Sequence, residues 1–298
     1  MSFVYAINDG FFSILSDTKI EMNDSLSKLW NTESERRLVQ QIGLLKSVIV
    51  SNNLVICYAG NNIDKAAELL RIAKDGSDNL DELINTALKI HKKAKKDAIE
   101  FIIAYCDENN RELISIKNNE VTRNCPLAWL GSYDAFHEFR GLESPNALTE
   151  CFEDESDQKL QIVLKIEDIF TKVVNSGIDS SVGGMIVKIR YMNGENTFQY
   201  MEQFQSISSN WSQVVPFGES IKFCEGAEKG SYSINVYQSS HNYCCYVYEG
   251  NFGIVYTDEV IYTDSLEGMK FPKIYKMDKR QFDAIAEQNG AYSCIGLR

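Results

Sequence analysis

The chain has 298 residues, enough for one large domain or for a domain with an appendage. Hydrophobic residues make up 44% of the chain, charged residues 24% and aromatic residues 11%, which is typical of a globular protein with a sizeable core. The formal net charge of -12 argues against a nucleic-acid partner, because a duplex-binding surface needs lysine and arginine to neutralise phosphates.

Targeting and metal signals are weak in this sequence. We find no apolar run of the ~20 residues that a membrane helix needs, and residues 1–10 lack the basic region and cleavage site of a secretory signal. We therefore expect a cytoplasmic chain with no membrane partner.

The 8 cysteines are scattered, without a Cys-x-x-Cys pair, and only 3 histidines are present. We expect reduced thiols, no metal site and no bound cofactor.

Two β-hairpins are predicted near the start of the chain. Asp9-Gly10 between β-prone runs predicts a hairpin of strands 3–7 and 11–15. The polar stretch at 31–37 is interpreted as a loop with a short helix. A second hairpin, with strands 47–50 and 54–60, turns at Asn52-Asn53.

Helical periodicity begins at residue 63, where Asn62 is positioned to cap a helix over 63–73. A second amphipathic helix over 80–90 follows. The pattern then predicts further elements: strands at 99–106, 112–116 and 127–130, a helix at 160–174, and a hairpin of strands 183–191 and 197–200. This order favours two antiparallel sheets with paired helices outside them, an α+β layered architecture.

The last third of the chain is mostly β in pattern. We predict strands at 231–238, 243–248 and 254–256 and a helix at 279–288. We therefore divide the chain into residues 1–203 and a β-rich C-terminal extension or small domain at 204–298. Aromatic residues in the extension suit a binding module or a core: Tyr232, Tyr237, Tyr243, Tyr246, Tyr248, Tyr256 and Tyr262.

Four segments in order carry a resemblance to a known family. The first hairpin ends at Asp17, and residues 46–64 contain a lysine-bearing hairpin followed by an Ala-Gly turn before a helix. Residues 102–132 contain a hairpin and a Gly-Ser loop, and residues 178–184 run from an aspartate to a pair of glycines. They resemble N-terminal nucleophile (Ntn) hydrolases of the proteasome β-subunit type, including the bacterial two-component relative. The resemblance covers residues 3–203 and implies a four-layer αββα sandwich.

The resemblance also implies a catalytic constellation. In that family the hydroxyl of an N-terminal Thr, Ser or Cys is the nucleophile, and its free α-amine is the general base. Lys46 would tune the pKa of the nucleophile, and Asp17 would hold that lysine charged. Ser132 and Asp179 would support the amine.

The backbone near Gly60 would form the oxyanion hole in the same scheme. The sequence departs from the family pattern at Val182, where the family usually has a serine, and in a longer stretch between Asp17 and Lys46 that could form a lid.

The chain start decides whether this chemistry is possible. Met1 stands where the family has its threonine, and a thioether cannot be the nucleophile. Removal of Met1, which is common before a small residue, would make Ser2 terminal. A one-residue slip along a strand turns a side chain to the opposite face, so Ser2 requires a bulge or a shifted hairpin register to point at Lys46.

Two functions follow from the resemblance. The first is an N-terminal nucleophile amidohydrolase, a peptidase acting on peptide or protein substrates, with Ser2 as nucleophile and Lys46 as its pKa tuner. The second is a catalytically inactive proteasome-like subunit that keeps the fold for assembly or binding. Either could form a homo-oligomeric ring.

Overall fold

The computed structural model describes residues 2–20, 42–76, 79–94, 98–143, 155–208, 213–214, 221–222, 231–248, 250–258 and 266–293. No helix in these ranges combines the length and apolar character needed to cross a membrane. The predicted loop and short helix at 31–37 lie outside the described residues.

The described residues form nineteen strands and five helices. The strands are β1 (Phe3–Asn8), β2 (Phe12–Asp17), β3 (Ser47–Ser51), β4 (Leu54–Gly60), β5 (Ile99–Cys106), β6 (Arg111–Lys117), β7 (Glu120–Thr122), β8 (Leu127–Gly131), β9 (Ile186–Met192), β10 (Thr197–Tyr200), β11 (Gln203–Ser208), β12 (Gln213–Val214), β13 (Ile221–Lys222), β14 (Ser231–Val236), β15 (Gln238–Ser239), β16 (Cys244–Val247), β17 (Phe252–Thr257), β18 (Phe271–Lys276) and β19 (Ala291–Tyr292). The helices are α1 (Ile63–Lys74), α2 (Leu80–Lys93), α3 (Tyr133–Leu142), α4 (Glu155–Ser176) and α5 (Lys279–Gln288).

A seven-stranded antiparallel sheet contains the start of the chain, in the order β19-β15-β10-β9-β2-β1-β8. The predicted first hairpin is confirmed: β1 and β2 pair from Val4 opposite Ser16 to Asn8 opposite Phe12. The turn needs a glycine, because Gly10 has a φ of 71°, in the left-handed region that side chains disfavour.

The second hairpin is also confirmed, and it belongs to a five-stranded sheet in the order β3-β4-β5-β6-β7. Helices α1 and α2 contact this sheet. Asn62 caps α1, because its side chain accepts a hydrogen bond from the amide of Lys65, and Asn79 caps α2 in the same way. The predicted helices in this region are therefore confirmed, with both N-caps assigned.

Helices α3 and α4 contact each other, and α4 contacts β2 of the seven-stranded sheet. The rings of Phe3 and Phe170 stack with centroids 4.9 Å apart, and Phe139 lies edge-on to Phe3 at 6.1 Å. Phe3 therefore anchors the beginning of the chain in an apolar cluster between β1 and these helices.

A third sheet, of five strands in the order β11-β14-β16-β17-β18, is built from residues after 202, and β12 pairs with β13 in a short ribbon. Four of the tyrosines considered as a binding surface are buried here: Tyr237, Tyr243, Tyr246 and Tyr256. Tyr243 lies edge-on to Tyr256 at 5.6 Å and to Tyr200 of β10 at 5.4 Å. They are core residues. Tyr262 lies outside the described residues.

The prediction of a four-layer αββα sandwich with an extra C-terminal region is wrong. The structure has three main antiparallel sheets, of seven, five and five strands, and its helices are few beside nineteen strands. Two short strands from the last third, β15 and β19, extend the seven-stranded sheet beyond β10. The physical reason is that β10 has a free edge after pairing with β9, and backbone groups at that edge gain hydrogen bonds from the later strands.

Helix α5 packs on the third sheet through a glycine. A Cβ on Gly253 would lie 1.9 Å from the Phe282 ring, and that ring is also in aromatic contact with Tyr246 and Tyr275 on the neighbouring strands. The absence of a side chain at residue 253 therefore allows the helix to approach the sheet.

We expect Gly253→Ala to lower the free energy of unfolding by about 1–3 kcal/mol, because the added methyl group displaces Phe282 from a close-packed site. Gly194→Ala is the matched control, since a Cβ there meets nothing within 4 Å, and it should change stability by less than about 0.5 kcal/mol. Urea unfolding measures both. Equal stability of the two variants would contradict the packing.

Candidate functional site

A buried ion pair joins the end of β2 to the start of β3. Nζ of Lys46 lies 3.0 Å from both carboxylate oxygens of Asp17 and also donates a hydrogen bond to the carbonyl oxygen of Lys19. Asp17 is 0% exposed and Lys46 is 3% exposed. The structure therefore brings together the two charged residues that the sequence analysis paired.

The carboxylate of Asp17 is held by two backbone amides as well. The amide of Phe3 donates to Oδ1 at 2.8 Å, and the amide of Gly183 donates to Oδ2 at 3.1 Å. Burial raises the pKa of Asp17, whereas the Lys46 ammonium and these hydrogen bonds lower it. Four chain segments thus converge on one carboxylate.

The backbone of Lys46 is fixed by the neighbouring strand. Its carbonyl oxygen accepts a hydrogen bond from the amide of Tyr58 at 2.9 Å, and the Tyr58 hydroxyl donates to the carbonyl oxygen of Leu45 at 2.7 Å. Because Leu45 and Tyr58 are buried, the side chain of Lys46 extends from a fixed backbone position just before β3.

Ser2 lies at the start of β1, next to the ion pair. Its side chain is 5% exposed, and its carbonyl oxygen accepts a hydrogen bond from the amide of Ser132 at 2.7 Å. Ser2 directly precedes β1, whose pairing with β2 runs from Val4 opposite Ser16.

The two faces of β1 pack against different apolar clusters. Val4 belongs to the core cluster between the sheets, which also contains Leu44 and Leu45, whereas Phe3 belongs to the cluster under the helices. Leu15, two residues before Asp17 on β2, belongs to the same cluster as Phe3, so strand alternation places Asp17 on the Phe3 side of the sheet. The direction of the Ser2 side chain toward Lys46 stays a prediction. The first hairpin has a three-residue turn at 9–11 and no bulge among the residues that pair.

Ser132 and Asp179 form the other side of the site. The Ser132 hydroxyl caps α3 by accepting from the amide of Ala135 at 3.1 Å, and the same side chain lowers the pKa of Asp179. Asp179 Oδ1 accepts from the Ser181 amide at 2.8 Å and from its hydroxyl at 2.6 Å. Burial raises the pKa of Asp179, but the hydrogen bonds from the two serines outweigh it and the pKa is lowered.

Two further positions from the sequence analysis have specific places. Val182 is buried in the apolar cluster under the helices, and the neighbouring Ser181 supplies the hydroxyl to Asp179. Gly60 is the last residue of β4, two residues after Tyr58, and has a φ of 138°. A Cβ on Gly60 would lie 2.3 Å from the carbonyl oxygen of Ala98, so the close approach of that segment requires glycine.

Sequence reasoning missed Gly131, Ser181 and the amide of Gly183 as parts of the site. Gly131 has a φ of 90°, and a Cβ there would lie 1.8 Å from the carbonyl oxygen of Ser2. A glycine followed by a helix-capping serine at residue 132 was a usable signal for a tight approach. The contact between Gly183 and Asp17 joins residues 166 positions apart, which no local pattern reveals.

Comparison with known proteins adds no assignment. A scan against models of protein families finds no match, and a search of curated proteins finds no match either. The interpretation of this site therefore depends on its geometry and on the residue pattern described above.

We expect Lys46→Met to lower the free energy of unfolding by about 3–5 kcal/mol at pH 7, because it leaves the Asp17 carboxylate buried without its ammonium partner. Lys172→Met is the control, since Lys172 forms an exposed pair with Asp168, and it should cost less than about 1 kcal/mol. Urea unfolding measures both variants.

The loss in Lys46→Met should also depend on pH. Without the ammonium, the pKa of Asp17 in the folded state rises further above that of the unfolded chain, so the folded state retains a proton that the unfolded state has lost. Stability of this variant is then lost as pH rises above the ordinary pKa of aspartate. Its deficit against the original chain should shrink from pH 7 to pH 5, and a constant deficit would contradict a charge effect.

Proposed function

We propose that this chain is an N-terminal nucleophile amidohydrolase that cleaves peptide bonds after removal of Met1. Ser2 is the nucleophile in this proposal, and its α-amine is the general base. The observation that carries the proposal is the buried Asp17–Lys46 ion pair, whose carboxylate also accepts a hydrogen bond from the amide of Phe3, the residue after Ser2.

The surroundings of Ser2 suit a preorganised nucleophile. Gly131 packs against the backbone of Ser2, so that an added Cβ would lie 3.2 Å from its nitrogen. The amide of the next residue, Ser132, donates to the Ser2 carbonyl oxygen, and the Ser132 side chain lowers the pKa of Asp179. In this proposal the Asp179 carboxylate favours the ammonium form of the Ser2 amine, which is the product of proton abstraction.

The reaction follows from these roles. The α-amine takes the proton of the Ser2 hydroxyl while Oγ attacks the carbonyl carbon of the peptide, and a tetrahedral intermediate forms. The Lys46 ammonium favours the developing alkoxide electrostatically. The C–N bond then breaks as the proton passes to the leaving amine, and water hydrolyses the resulting ester to regenerate Ser2. The amide near Gly60 is proposed as a donor to the intermediate's oxygen.

A non-catalytic subunit is the second candidate, and one observation favours it. Ser2 is 5% exposed in the full-length chain, so its hydroxyl is closed to a large substrate in that form. Under this alternative the buried ion pair stabilises the sheets without a reaction, and the protein functions in assembly or binding.

Processing of Met1 separates the two candidates. We expect the intact mass of the native protein to lack one methionine, and we expect a peptide-amide reporter to be hydrolysed. A variant with glutamine inserted after Met1 retains its methionine, because processing requires a small second residue. It should be folded and inactive. Retained Met1 in an active native protein would overturn the proposed mechanism.

Substitutions test the roles directly. We expect Ser2→Ala and Lys46→Met to lower turnover roughly 100-fold or more, whereas Ser2→Thr keeps a terminal hydroxyl and measurable activity. Ser13→Ala is the matched control, since Ser13 is a buried serine whose hydroxyl has no partner in the described structure.

A covalent probe gives a readout that does not require turnover. A β-lactone opens when Oγ of Ser2 attacks its carbonyl carbon, so the protein should gain the full mass of the probe at residue 2. Labelling of Ser2→Ala to the same extent would contradict the assignment. Folded variants are verified by circular dichroism before each assay.

A further inference from the structure

A cleft lies at the opposite end of β3 from Lys46, beside the turn that joins β3 to β4. Its volume is about 280 Å³, and Lys74, Lys270 and Asp258 are the ionised side chains that line it among the described residues. Because β3 spans five residues, the cleft lies roughly 15 Å from the site around Ser2. The two sites are therefore separate.

The notable group in this cleft is a buried ammonium. Lys270 is 5% exposed, and its Nζ donates to the carbonyl oxygen of His241 and to Oδ1 of Asn242, at 3.1 Å from the latter. Both acceptors are neutral. Within the described part of the chain, no carboxylate oxygen forms an ion pair with Lys270, although buried charges in proteins are ordinarily paired.

The nearest carboxylate is already engaged. Asp258 accepts from Nζ of Lys74 at 2.7 Å, and Lys74 also donates to the carbonyl oxygen of Gly268 at 2.8 Å. Burial lowers the pKa of Lys270 to about 8, with Asp258 acting in the opposite direction and Lys74 adding to the decrease. Among the described residues that line it, the cleft therefore has one positive charge in excess, and its buried lysine gains stability from an added anion.

The backbone next to Lys270 is tightly packed. Gly268 has a φ of 98°, and a Cβ there would lie 2.7 Å from the backbone nitrogen of Arg71 in α1. Met269 is buried, and Lys270 directly precedes β18. Because the backbone on both sides of Lys270 is packed, its ammonium is preorganised toward the cleft.

Charge and shape restrict the ligand. The carboxylate of Asp258 lines the same cleft and repels a dianion such as phosphate, whereas a single negative charge balances the excess. A second cavity of about 270 Å³ shares Val50, Ser51 and Lys74 with the cleft, and its wall includes Leu80 and Leu83. An apolar chain could continue from the cationic cleft into this cavity.

We propose that the cleft binds a small monocarboxylate with an apolar tail. The carboxylate accepts a hydrogen bond from Nζ of Lys270, and the tail passes Val50 toward Leu80 and Leu83. The Asp258–Lys74 pair closes the polar end and excludes multiply charged anions.

Isothermal titration calorimetry with octanoate tests this site in the full-length protein. We expect octanoate to bind at least tenfold more tightly than acetate, which lacks the tail, and than octan-1-ol, which lacks the charge. Lys270→Met should lower octanoate affinity at least tenfold. Lys273→Met, which removes an exposed lysine on β18, should change it less than twofold.

A second variant tests the charge of the cleft independently of Lys270. Asp258→Asn should raise the affinity for octanoate and should allow inorganic phosphate to bind. This variant tests the role of charge in the cleft if Lys270→Met fails to fold. Unchanged octanoate binding by Lys270→Met, phosphate binding by the original chain as tight as octanoate, or no octanoate binding at millimolar concentration would each overturn the proposal.

Discussion

The ion pair between Asp17 and Lys46 is the constraint on which the arrangement of the N-terminal half depends. One carboxylate receives the ammonium of Lys46, the amide of Phe3 and the amide of Gly183, so it joins β1, β2, β3 and the segment before β9. A buried charge is tolerated only when its hydrogen-bonding capacity is filled, and four segments must therefore be in place together. The position of Ser2 beside this pair is a consequence of the same condition.

The local elements of this half could be predicted because their signals are local. Asp9-Gly10 specifies a turn, Asn62 caps a helix, and the apolar runs on either side of Asn52-Asn53 predict β3 and β4. Asp17 and Lys46 could be paired on the strength of a resemblance. The contacts of Gly131 with Ser2 and of Gly183 with Asp17 could not, because they depend on backbone approaches between distant segments.

The overall architecture was mispredicted for a related reason. Strands β15 and β19 have two residues each, which is too short for a period-two pattern, yet they pair next to β10 and complete the seven-stranded sheet. The clusters of apolar residues likewise join Tyr200 and Val48 with Tyr243 and Tyr256 from the last third. The resemblance covers only residues 3–203, so it could not predict that residues of the last third complete this sheet and this core.

The pairing of β10 with β15 has a practical meaning for anyone who shortens this protein. A chain cut after residue 203 would end beside β10 with its outer backbone amides and carbonyls unpaired, and it would uncover Tyr200, which packs against Tyr243. Such an open edge with adjoining apolar surface invites strand addition from a second molecule. Aggregation of that fragment would then reflect lost β pairing, and activity measured on it would say little about the intact protein.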